Sequence, residues 1–133
     1  MDAYSKFKTE LNALCERGKI SKELKNKLSH ADRGDPGERV YSVCSDLYAY
    51  ASNSPRGCVA LENILPSVIA LVQDTKPLAP ACIGRHYDTL AAYVKLVVKA
   101  NTTGAPDLLT KMSEFYRAFT ESAECVRRGL PLF

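Results

Sequence analysis

Apolar residues recur at spacings of three and four along nearly all of this 133-residue chain. That is the spacing of one face of an α-helix, and no stretch alternates apolar and polar residues over the length of a strand. The cleanest stripe is Leu108, Met112, Phe115, Phe119, Ala123 and Val126. Three others are Ile83, Tyr87, Leu90, Val94 and Val97; Val40, Val43, Cys44, Leu47 and Ala51; and Tyr4, Phe7, Leu11 and Leu14. A chain patterned this way must pack helix on helix, each burying its own stripe.

Breaks between stripes fall where the backbone chemistry demands them. Gly18 closes the first helix, and Ser21 caps a short second one carrying Leu24 and Leu28. DRGDPG at 32–37 and SNSPRG at 52–57 interrupt the chain firmly. The fourth segment, CVALENILPSVIALVQD at 58–74, is apolar nearly all round, which predicts a place at the centre of the bundle. Pro66 is expected to kink or divide it, because proline cannot donate to the preceding turn. After TTGAPD, Pro106 and Asp107 suit the first turn of the last helix, which Gly129 ends. No linker divides the chain. The expectation is all-α: a single compact bundle of five to seven helices over residues 1–133, standing alone or as one domain of a larger chain.

Composition narrows the function classes. At 46% hydrophobic and 25% charged the chain is globular, and no apolar run approaches the roughly 20 residues of a membrane helix. The segment MDAYSKFKTE is charged and lacks a signal peptide's apolar core. Five scattered cysteines do not make a disulfide framework and fit free thiols in a reducing compartment. An intracellular protein, cytoplasmic or nuclear, is therefore expected. Accordingly the sequon Asn101-Thr102-Thr103 and the tripeptide Arg33-Gly34-Asp35 read as chance matches.

Chemistry is suggested most by 77-PLAPACIGRHYDTL-90, where Cys82 precedes His86 by four residues at a helix start. Such a thiol would be acidified by the helix N-terminus and by a neighbouring imidazole. Yet a nucleophile also needs an oxyanion hole, and no glycine-rich turn adjoins Cys82. Zinc sites show paired ligands, and none occurs here. Phosphate-loop, dinucleotide and nucleophile-elbow motifs are absent as well. Ordinary packing is the expectation at both positions, with no catalytic residue, metal or cofactor.

Two binding surfaces remain. The segment RGKISKELKNK at 17–27 sets Arg17, Lys19, Lys22, Lys25 and Lys27 against Glu23, a candidate for holding anions or nucleic-acid phosphates. Seven tyrosines and no tryptophan suggest either rings at a protein interface or partly buried rings in a crowded bundle; Tyr48, Tyr50 and Tyr93 cannot all share the buried stripes of their helices. The apolar residues Leu130, Leu132 and Phe133 join them as candidate partner contacts. The run LCERGKISKELKNKL, with its Gly18-x-Ile20-Ser21 turn, and Gly57-Cys58 before an apolar helix resemble the early helices of death-fold interaction modules such as CARD domains. That likeness covers about the first 70 residues; two long helices beyond it exceed what such a module needs, and it assigns no functional residue. The expected function is a non-enzymatic adapter or docking module binding another protein, with nucleic-acid or anion binding through 17–27 as the alternative.

Overall fold

The computed structural model of the chain describes residues 2–30, 34–104 and 111–129. Among them are six α-helices: α1 (Ala3–Glu16), α2 (Lys22–Leu28), α3 (Pro36–Asn53), α4 (Val59–Thr75), α5 (Gly84–Thr103) and α6 (Met112–Arg128). Two single 3₁₀ turns, Lys76–Leu78 and Ala81–Ile83, link α4 to α5. Local chemistry sets the starts. Asp2, Ser21 and Asp35 accept hydrogen bonds from the backbone N–H groups of Ser5, Leu24 and Glu38, at 2.7, 3.1 and 2.9 Å. Pro36 follows Asp35 at the first helical position, where its missing N–H costs nothing.

Cross-links fix the directions. Asn101 at the end of α5 donates to Ala51 O near the end of α3, so these two helices run the same way. Its other amide atom accepts from Cys58 N before α4, while Lys76 beyond α4 pairs with Asp88 near the start of α5, so α4 runs opposite. Lys6–Asp74 and Asn63 Nδ2 to Lys19 O set α1 antiparallel to α4. Tyr48 meets Tyr116, and Gly37 meets Val126, so α6 runs antiparallel to α3. The last approach is close: a Cβ on Gly37 would stand 2.4 Å from Val126 O, so no side chain fits unless α3 and α6 move apart.

The bundle confirms the all-α reading. Val40, Val43, Cys44, Leu47, Leu61, Ile64, Val68, Leu90, Val94 and Val97 fill its centre, all from α3, α4 and α5. Here α4 departs from expectation in two respects. It shares the centre rather than occupying it, for Val59 is 62% exposed, and Glu62, Pro66, Gln73 and Asp74 face outward too. Pro66 also does not divide it, since one helix spans Val59–Thr75. Glu62 and Pro66, one turn apart, both lie on the outer side, where the ring finds room and the carbonyl deprived of its donor can meet water. In α6, Phe119, Ala123 and Val126 are buried as their stripe predicts, whereas Phe115 is half-buried; Leu108 lies outside the described residues.

Where α2 meets α3, Asp46 is half-buried, and burial raises its pKa above the ordinary 3.8 although Lys27 and His30 pull it back. A carboxyl whose folded pKa is raised holds its proton more tightly in the native state. Stability should therefore fall as pH climbs from about 3.8 through the raised folded value. Asp46→Asn is expected to remove that loss and raise the urea midpoint at pH 7 relative to the parent. Equal pH dependence in the two proteins would contradict the assignment.

Candidate docking surface at one end of the bundle

Cys82 and His86 do not form a site. The helix begins at Gly84, so Cys82 sits in the preceding 3₁₀ turn and not in the first turn of α5. Cys82 is exposed, while His86 is 1% exposed within the bundle. Among the described residues, no group of three or more His, Cys, Asp or Glu side chains could hold a metal ion. Asn101, read from the sequence as part of a sequon, is 3% exposed, and both ends of its amide are engaged. A sugar on that nitrogen is incompatible with this fold.

The basic candidates cluster at the α1–α2 corner. Arg17, Lys19, Lys22 and Lys27 are exposed and Lys25 is half-buried; none pairs with a carboxylate among the described residues. On α2 they spread around the whole outer side, because Leu24 and Leu28 alone turn inward. Lys27 reaches back over the Tyr50 ring, 6.0 Å from its centroid. They make a dispersed surface, not a cleft.

The tyrosine candidates separate. Tyr48 lies under α6, its ring 5.1 Å from Tyr116 and 5.3 Å from Phe119, and Tyr93 stands 6.1 Å from Phe115. Both are half-buried rings that seat α6 on α3 and α5. Tyr50 belongs to the α2 side. The ring left most open is Tyr116, at 51%.

Sequence reasoning missed the feature at the other end. The start of α3, the end of α4, both 3₁₀ turns, the start of α5 and the end of α6 meet there around an apolar groove of about 210 Å³. Pro36, Leu78, Ala79, Pro80, Ile83, Tyr87 and Val126 line it, with Asp35, Arg127 and Arg128 at its margins. Leu78 is 66% exposed, the highest value among the large apolar side chains described. It also forms one wall of a smaller cleft beside Tyr4, Leu71 and Thr75. The rim is electrostatically settled. Glu124 accepts from Arg127 and, at 2.6 Å, from Arg128; the Arg127 hydrogen bond holds its carboxyl below the usual range. Inside the groove, burial and then the Asp35 carboxylate raise the Tyr87 phenol, so that ring stays neutral. A leucine between Pro77 and Pro80 that joins no helical stripe was the one sequence signal of this surface. Leu130, Leu132 and Phe133, which follow Gly129 at the groove's margin, lie outside the described residues.

No helix among the described residues is long and apolar enough to cross a membrane. Comparison with known protein families, with curated proteins and with solved structures gives no match.

Proposed function

We propose that this chain is a non-catalytic, intracellular docking module that binds another protein through the apolar end of its bundle. The observation that carries this reading is the exposed Leu78 standing over a groove walled by Pro36, Pro80, Ile83 and Val126. Apolar concavities rimmed by charge suit the burial of a partner's apolar side chains, with the rim left in water. Because Arg127 and Arg128 already satisfy one another's partner Glu124, the rim can remain hydrated without a charge from the bound protein. Catalysis has no place in this reading, since it needs only shape and apolar area.

The alternative is phosphate binding at the α1–α2 corner, favoured by the lack of ion pairs at Arg17, Lys19, Lys22, Lys25 and Lys27 among the described residues. Lysine is depleted at the cores of protein interfaces, so the two readings separate cleanly. Leu78→Asp should leave the fold intact, because the side chain is mostly in water, and should abolish capture of the partner from nuclease-treated extract. Changing Lys19, Lys22, Lys25 and Lys27 together to Glu should leave that capture in place. Capture that survives Leu78→Asp, disappears on charge reversal and weakens steeply with salt would install the alternative.

A further inference from the structure

Charge is unevenly placed on the bundle. Every ion pair among the described residues lies along α6 or at the end that holds the groove. The opposite end, where α1 finishes and α4 begins, keeps its cations unpaired. Stretches 16–27 and 56–62 set Arg17, Lys19, Lys22, Lys25, Lys27 and Arg56 against Glu16, Glu23 and Glu62, and so carry the chain's whole net charge of +3; elsewhere twelve cations meet twelve acids. Asp46 acts on Lys27 from α3 but is itself half-buried. Among these charges stands Val59, 62% exposed. Asn63 donates from Nδ2 to the Lys19 carbonyl at 3.0 Å, so α4 meets the α1–α2 turn at that residue. Val59 lies one helical turn before Asn63 on the same face of α4, and three residues after the exposed Arg56. An apolar side chain is thereby held in water with cations to either side.

From this arrangement, we propose that this end of the bundle docks on an anionic lipid surface, its cations over the headgroups and Val59 entering the interface. Anionic headgroups attract clustered Lys and Arg without demanding a fixed spacing, which suits cations dispersed around α2. Apolar area buried at the interface adds to that attraction and gives an exposed valine a place to go. Nucleic acid fits the face less well. Single strands stack on exposed aromatic rings, whereas Tyr50 is half-buried with Lys27 over it. A duplex backbone would neutralise the cations but leave Val59 in water. The groove lies at the far end of α4, so one molecule can rest on lipid and hold a protein partner at the same time.

The test is co-sedimentation of the full chain with vesicles of phosphatidylcholine, alone or mixed with phosphatidylserine. Binding is expected only where phosphatidylserine is present, and should fall steeply as salt rises. Val59→Asn should keep the helical circular dichroism, because the side chain is mostly in water, and should weaken vesicle binding about fivefold. Val59→Leu adds one methylene and should strengthen binding up to about fourfold. Lys19, Lys22, Lys25 and Lys27 changed together to Glu should abolish it. Indifference to phosphatidylserine, or equal binding by the parent, Val59→Asn and Val59→Leu, would overturn the proposal. Binding lost in Leu78→Asp but kept in Val59→Asn would turn the groove toward the lipid instead, and overturn it as well. Tighter binding to a duplex DNA fragment at the same salt, indifferent to the residue at position 59, would give the face to nucleic acid and equally sink the lipid reading.

Discussion

Phe119→Ala is expected to cost about 3–5 kcal/mol of stability, and Phe115→Ala clearly less. Phe119 is 3% exposed, and its ring rests 5.3 Å from that of Tyr48, so truncation opens a cavity between α3 and α6. The neighbours cannot easily collapse into it, because Gly37 and Val126 already bring the far ends of the two helices into backbone contact. Phe115 is half-buried and meets Tyr93 at 6.1 Å, so its removal leaves a dent that water can fill. Urea denaturation followed by helical circular dichroism measures both. Equal losses at the two positions would mean that α6 is rotated about its axis from the orientation described.

Asn101→Ala is expected to cost about 2–4 kcal/mol, since it strands a buried acceptor and a part-buried donor. Ala51 O loses its donor at 2.8 Å, and Cys58 N loses its acceptor at 3.2 Å. The same residue's carbonyl still accepts from Gly57 N at 2.7 Å, so the loop before α4 is weakened and not released. Thr103→Ala destroys the sequon but touches only an exposed hydroxyl bonded to Lys99 O, and should change stability by no more than about 0.5 kcal/mol. Thermal unfolding of the two variants side by side separates a structural amide from a glycosylation signal. Comparable losses would show that the tie at Asn101 is unimportant.

The stripes that place Val40, Leu47, Leu90, Val94, Phe119 and Val126 inside were legible because each repeats over several turns of one helix. Periodicity fixes a face, and the face fixes burial. The centre of the bundle was harder to assign, for composition alone cannot say which side of an apolar helix meets a neighbour. Val59 is apolar and stands 62% exposed. Adjacency in sequence suggested chemistry at Cys82 and His86, but no oxyanion turn or paired ligand supported it, and the helix starts two residues after the cysteine. The groove was nearly invisible for a different reason. Its walls come from stretches near positions 36, 78, 83, 87 and 126, brought together only by the alternation of helix directions. Asn101 bonds across separations of 50 and 43 residues, and nothing within its own neighbourhood encodes that.

Cys44 lies wholly within the core, where burial pushes its thiol up to about 12. Alkylation needs the thiolate as nucleophile, and the native molecule holds this sulfur as the unreactive thiol. Modification of Cys44 must then wait for the centre of the bundle to open, while the exposed Cys82 reacts from the outset. Each chain thus carries a clock and a reference. The lag between the two labels reports how often α3, α4 and α5 come apart, under conditions where nearly every molecule is folded.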